Sequence, residues 1–232
     1  MKPNIYNSVF RALKEEIEER GYDSRKIKML IKNYSWFLSE YSLLRTLLRS
    51  KLPIDKYEQS MSFLIRRHEI LADEVNSRST VLDIGCGLGI LACILAKKYC
   101  QVYGIDIDGD SLKVAKRLSK MLSVEKRCVF QKAESNTLPF ETSTFDYVIL
   151  SWTLHDIKME NRELLLSECI RVLKPCGRLL ILDPESQLNF RQVQETLSKY
   201  SAKRIQQKAL QKVYDHGAFT DAVLAVYQKV SD

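Results

Sequence analysis

A chain of 232 residues with 45% hydrophobic side chains can bury one sizeable core plus an appendage, with no surplus for a second complete enzyme domain. Its uncharged apolar runs, such as Tyr147 to Leu154, fall far short of the ~20 residues of a bilayer span, and Met1-Lys2-Pro3-Asn4 opens no apolar signal region, so no membrane insertion and a cytoplasmic location are expected. Six cysteines without a CxxC pair and three scattered histidines argue for free thiols and no metal, and the formal charge of +7 is interleaved with acids, the pattern of a solvated basic surface rather than a nucleic-acid interface.

Taken in chain order, residues up to Ser79 read as successive helices: Val9, Leu13 and Ile17 recur at helical spacing, Ile54 to Val75 repeats apolar side chains, and Gly21 and Pro53 punctuate. Tyr34, Trp36, Phe37 and Tyr41 either wall a substrate pocket or pack between these helices, and exposed apolar surface here would suit a homodimer. From Thr80 short β-branched runs alternate with helical stretches, the pattern of a parallel sheet with crossover helices. The expected strands are Thr80 to Ile84, Gln101 to Ile105, Cys128 to Lys132, Phe145 to Ser151 and Arg178 to Asp183, separated by helices. Two more, Ala209 to Tyr214 and Ala222 to Val230, would form an antiparallel hairpin through Asp215-His216-Gly217. The expected fold is α/β: a Rossmann-like seven-stranded sheet, mostly parallel with an antiparallel last strand, under an N-terminal helical cap. Polar residues at Asn76 to Ser79 set the boundary, giving a cap over residues 1–78, the expected acceptor-binding region, and a catalytic domain over 79–232.

The segment Val81-Leu82-Asp83-Ile84-Gly85-Cys86-Gly87-Leu88-Gly89-Ile90 is a buried strand, a glycine turn and a helix start. Ligands of open α/β sheets sit outside the carboxyl ends of the strands, over such a loop. A dinucleotide loop, GxGxxG, would want a small residue at Ile90, and Asp83 beside the loop suits a cationic ligand better than a pyrophosphate. The loop reads DxGxGxG, and in this the chain resembles the class I S-adenosylmethionine (SAM)-dependent methyltransferases over roughly Thr80 to Asp183. The resemblance implies SAM as cofactor, Asp83 near its methionyl amino end, and Gly85, Cys86, Gly87 and Gly89 beneath it.

The second strand ends in Asp106, twenty-one residues after Gly85, where a carboxylate can accept from two neighbouring ribose hydroxyls. The resemblance makes Asp106 the ribose-binding acid and Ile107 the apolar residue on adenine, while Asp108 reads as a helix cap for a segment beginning at Ser111. The stretch Gln131-Lys132-Ala133-Glu134-Ser135-Asn136-Thr137-Leu138-Pro139-Phe140 is similar to the family's GDAExLPF segment. Lys132 stands where relatives often carry an aspartate, leaving Ala133, through its backbone amide, and Glu134 as adenine-edge candidates.

The fourth strand ends at Ser151, which should face the reactive methyl, and opens into Trp152-Thr153-Leu154-His155-Asp156. This loop lacks the (N/D)PP(Y/F) of base-amine methyltransferases, the Pro-Cys of cytosine-5 enzymes and the paired glutamates of protein arginine methyltransferases. Leu154-His155-Asp156-Ile157 resembles the LHDW segment of small-molecule O-methyltransferases, which implies His155 as general base, oriented by Asp156; a pocket-lining histidine is the other reading. The expected activity is methyl transfer from SAM to a small-molecule acceptor at oxygen. Carbon methylation of a quinone-like metabolite, or an RNA- or protein-binding module retaining a SAM site, are the alternatives.

Overall fold

Strand β1 (Thr80–Ile84) forms because Val81, Leu82 and Ile84 lose their surface on both faces of a sheet, as parallel strands covered by helices do. The computed structural model describes residues 67–134, 137–215 and 218–230, with single positions at 8, 11, 12, 15 and 19. The aromatic group at Tyr34, Trp36, Phe37 and Tyr41, most of the expected cap, and the turn residues His216 and Gly217 lie outside the described residues.

After β1 the chain runs through α1 (Ile90–Lys97), β2 (Gln101–Asp106), α2 (Gly109–Met121), β3 (Cys128–Lys132) and β4 (Phe145–Ser151). It continues through α3 (Met159–Val172), β5 (Leu173–Pro184), α4 (Phe190–Ser198), β6 (Ala202–Asp215) and β7 (Ala218–Lys229). The seven strands form one sheet in the order β3-β2-β1-β4-β5-β7-β6. Pairs among β1 to β5 are parallel, and β7 runs antiparallel to both β5 and β6, so the last strand alone is reversed. Strand order reverses between β1 and β4, which opens a crevice at their carboxyl ends.

Several expectations need correction. The first four strands stand where the pattern put them, to within a residue, but β5 begins at Leu173 rather than Arg178. Its register jumps from Phe145↔Leu173 to Tyr147↔Arg178, so Lys174 to Gly177 bulge out, with Cys176 at φ +61°. Strand β6 starts at Ala202 because Lys203, Arg204, Gln207 and Lys208 lie exposed on an edge strand, where polar residues conceal the β signal. No helix joins β3 to β4 among the described residues. Pro139 lacks an N–H and restrains Leu138, and the loop is held instead by side chains. Arg171 donates to the carbonyls of Phe140 (2.9 Å) and Leu138 (3.1 Å), and Glu168 accepts from Leu138 N–H at 2.9 Å.

Residues 67–73 are helical, and Leu71, Ala72 and Val75 are buried in the same apolar core as α1 and α2. Cleavage at the expected boundary near residue 78 would therefore divide a continuous core. A second core, built from α3 and α4 residues such as Leu165 and Val193, covers the other face of the sheet. Among the described residues no helix is long and apolar enough to cross a membrane, and no cluster of His, Cys, Asp and Glu is placed to hold a metal ion.

Two measurements follow from this packing. Leu71→Ala removes a fully buried side chain and should cost ~2–5 kcal/mol of unfolding free energy, read as a lower urea midpoint; a change under about 0.5 kcal/mol, the range of ordinary surface substitutions, would separate residues 67–75 from the core. The hydrogen bond and charge of Arg171 hold the Glu168 carboxyl below the ordinary glutamate range, against the effect of partial burial. A depressed carboxyl stabilises fully above its unfolded-state pKa and loses that contribution as pH falls through the folded value. Glu168→Gln should thus lower the melting temperature at neutral pH and narrow its gap to wild type in acid. A gap that is the same at all pH values would show that the charge contributes nothing.

Candidate active site

The turn after β1 is made of glycines for reasons internal to the protein. Gly85 has φ +72°, and a Cβ there would lie 2.4 Å from Thr153 Oγ1; Gly89 has φ +71°, and a Cβ there would lie 2.7 Å from Ala115 Cβ. Only glycine meets both demands, left-handed backbone and no side chain. Gly85 and Cys86 N–H both donate to Ile105 O, at 2.8 and 3.1 Å, which draws the loop across the end of β2.

Asp106, 8% exposed, ends β2 and accepts from Gly87 N–H (2.9 Å) through one oxygen and from Asp108 N–H (2.8 Å) through the other. Ile107 follows at 56% exposure, an isoleucine on the surface beside a buried acid. Asp108 caps α2 as read from the sequence, accepting from Asp110 N–H and Ser111 Oγ, with the helix starting at Gly109 rather than Ser111. Asp83 is 2% exposed at the penultimate position of β1.

On the β3 side, Ala133 N–H donates to Asp106 O at 3.2 Å, prolonging the β2–β3 ladder. That amide, expected to meet adenine, is therefore occupied by the sheet, and Ala133 is left with its half-buried methyl group. Lys132 and Glu134 are both exposed.

The loop after β4 is bent by Trp152 at φ +53°. Thr153 Oγ1 lies 3.1 Å from the carbonyls of both Ile84 and Ser151, tying this loop to the end of β1. Ser151 Oγ is buried and has no hydrogen-bond partner among the described residues, unusual for a buried hydroxyl and apt for contact with a bound molecule. From the preceding helix, the Arg67 guanidinium stacks 4.4 Å from the Trp152 ring centroid.

Leu154–Asp156 forms a single 3₁₀ turn. It leaves the His155 side chain only 8% exposed and Asp156 75% exposed. His155 Nδ1 lies 2.5 Å from Asp183 Oδ1, and the second oxygen of Asp183 accepts from Leu154 N–H at 3.1 Å. Asp156 Oδ1 lies 3.4 Å from Nε2 instead. The carboxylate against Nδ1 is thus Asp183, at the carboxyl end of β5, and not the sequence neighbour Asp156, which the turn directs into solvent. Burial pushes the Asp183 carboxyl above the ordinary aspartate range, against the opposing pull of His155 and Leu154 N–H. Arg162 of α3 fixes the turn from behind, donating to His155 O and Ile157 O, both at 2.8 Å. Neither Asp183 nor Arg162 was among the sequence candidates. The available signal for Asp183 was positional: Ile181-Leu182-Asp183 ends a buried strand in an acid, as Ile105-Asp106 does.

Together, a glycine turn at the switch point, a carboxylate for vicinal hydroxyls, a neighbouring apolar platform and a second acid for a cationic group fit the donors and charge of SAM. Comparison with known proteins agrees. Residues 82–181 match the family described as "Methyltransferase domain". The chain is 33% identical over 117 residues to a phosphoethanolamine N-methyltransferase of Plasmodium falciparum, covering 50% of this chain and 43% of that protein. It is 31% identical over 155 residues to a ubiquinone/menaquinone biosynthesis C-methyltransferase of Rickettsia bellii, covering 62% and 59%. The chain spans between 39% and 59% of the length of the curated relatives it matches. In fold it resembles a SAM-dependent methyltransferase structure from Methanosarcina mazei, with a TM-score of 0.63 at 19% identity over 70% of this chain and 98% of the other. Over residues 82–181 the chain thus resembles the methyltransferase domain family, on a fold shared with a SAM-dependent methyltransferase structure.

Proposed function

We propose that this chain transfers the methyl group of SAM to a hydroxyl of a small molecule, with His155 as the general base. The observation that carries the reading is the His155 imidazole, almost wholly buried just beyond the carboxyl end of β4, anchored through Nδ1 on Asp183 and with Nε2 3.4 Å from Asp156 Oδ1. Bound SAM supplies a methyl group already activated by its sulfonium. The chain must then align an acceptor and take its proton. In this reading Asp106 holds the ribose hydroxyls, Ile107 packs on adenine, and Ala133 and Glu134 border the adenine edge. Asp83 faces the methionyl amino end, the turn of Gly85, Cys86, Gly87 and Gly89 runs beneath the cofactor, and Ser151 contacts it near the methyl group. The acceptor lies between the N-terminal segment and the loop after β4, an assignment supported by the Arg67–Trp152 stack that joins them.

Similarity to the Rickettsia bellii C-methyltransferase favours a second reading, methylation at carbon, in which the same histidine would assist removal of a proton from an enol-like acceptor. Release of S-adenosylhomocysteine across a panel of phenols, carboxylic acids, thiols and quinones, with the product bond assigned by NMR, distinguishes the two.

Asp106→Ala should weaken SAM and S-adenosylhomocysteine binding by roughly 10- to 150-fold, the loss of a charged acceptor worth ~1.5–3 kcal/mol. Calorimetry showing unaltered affinity in the folded variant would remove Asp106 from the cofactor site. His155→Ala should lower turnover by roughly 10²–10⁴-fold with SAM affinity near wild type. Wild-type turnover in that variant would make His155 a pocket wall and shift the acceptor to a group that needs no proton removed.

A further inference from the structure

Trp152, the first residue beyond β4, is fixed by its backbone: φ is +53° and its N–H donates to Leu182 O at 2.8 Å. Its ring packs against the core that Leu71, Ala72 and Val75 share with α1, and carries the Arg67 guanidinium 4.4 Å from its centroid. Arg67 is itself only 4% exposed. Within this packing the indole Nε1 is buried and has no hydrogen-bond partner among the described residues. An indole nitrogen donates and cannot accept. A buried donor left unmet costs ~1–3 kcal/mol, so whatever meets Nε1–H must be a hydrogen-bond acceptor.

The charge beside the indole selects between a neutral oxygen and an anion. A guanidinium taken out of water favours negative partners, and a hydrogen bond to an ionised oxygen is about twice as strong as one to a neutral oxygen. We propose that the methyl acceptor is a hydroxy acid, whose carboxylate accepts from Trp152 Nε1–H within the field of Arg67 while its hydroxyl meets His155. The inference rests on the reading of the chain as a methyltransferase of small-molecule hydroxyls, and it names the substrate class of that site. Trp152 and Arg67 are then specificity-determining residues.

The loop itself sets the spacing between the two anchors. Trp152 and His155 lie three residues apart, and between them Thr153 is tied to Ile84 O at 3.1 Å and packed against Gly85. An acceptor held at both ends presents its hydroxyl oxygen in one orientation, which is what in-line attack on a methyl group requires. In the transfer the hydroxyl proton passes to His155, the oxygen bonds to the methyl carbon, and the methyl–sulfur bond breaks with its electron pair on sulfur. The carboxylate keeps its charge throughout, so the product is an ether acid and Trp152 takes no part in the proton transfer.

The test is calorimetry on the full chain saturated with S-adenosylhomocysteine, titrated with benzoate, 3-phenylpropanoate and butanoate and with the amide of each. At least one acid should bind roughly tenfold more tightly than its amide; the absence of any acid that binds better than its amide would overturn the proposal without a variant being made. Trp152→Phe keeps an aromatic ring for Arg67 to stack on and removes the N–H. It should weaken the preferred acid by roughly tenfold or more, the effect of losing a hydrogen bond to a charged group, and leave the affinities for the amide and for S-adenosylhomocysteine unaltered. Unchanged acid binding in the folded variant refutes the proposal. So does a parallel loss of S-adenosylhomocysteine affinity, which would give the donor to the carboxylate of the cofactor. Arg67→Gln should remove most of the acid's advantage; an undiminished advantage would overturn the role of its charge. In turnover, a hydroxy acid of the preferred scaffold should lose kcat/KM by roughly tenfold when esterified, and Trp152→Phe should raise KM for the acid with the pH profile unaltered. Failure of the parent reading looks different: the acid–amide difference and its dependence on Trp152 would persist, while His155→Ala retained turnover or the new methyl group appeared on carbon.

Discussion

At the switch point of the sheet, the backbone of Gly85 passes so near Thr153 that no side chain can stand between them. The Thr153 hydroxyl also lies within hydrogen-bond distance of the carbonyl of Ile84, one residue earlier. This contact joins the loop after β1, the proposed floor of the cofactor site, to the end of β4 and the loop after it, which carry Ser151 and His155. Interiors packed at this density transmit displacement rather than absorb it. The two loops are therefore packed as one unit, and Arg162 and Asp183 brace that unit from α3 and β5.

The site draws on the stability of the rest of the domain. Asp83, Asp106 and Asp183 are all nearly or fully buried, and a carboxylate out of water is costly unless donors meet it. Asp106 is met by two backbone amides of loops whose shapes it thereby defines. Asp183 is met by one amide and one imidazole. Around them the strands are apolar on both faces, with Val81, Leu82, Ile149, Leu150, Ile181 and Leu182 all fully buried, and two cores on opposite sides of the sheet hold the charged edge in place.

What could be read in the sequence follows from what each residue's neighbours are. Strands β1 to β4 were legible because each is a short run bounded by turns. Asp108 was legible as a helix cap because its role follows from its position between a strand end and a helix start. Strand β5 was misjudged where Pro175, Cys176 and Gly177 bulge, since those residues resemble a turn and their strand resumes beyond them. Asp156 was read as the partner of His155 because adjacency in sequence is visible, whereas Asp183, 28 residues away, is brought near only by the parallel pairing of β4 with β5. A 3₁₀ turn, which rotates successive side chains by about a third of a circle, then points Asp156 away from Nδ1.

Strand β7 is hydrogen-bonded along both edges, between β5 and β6, although both are made before it. During synthesis β5 therefore emerges with an open edge, and β6 emerges with no neighbour to pair with. Ribosomes add ~5–20 residues per second, so this interval lasts several seconds, with the apolar run from Leu179 to Leu182 bare along one side. An unpaired apolar edge invites strands from other chains. The nascent domain is thus most exposed to misassembly just before its sheet closes, and slower translation of the β6–β7 hairpin would lengthen the hazard rather than help folding.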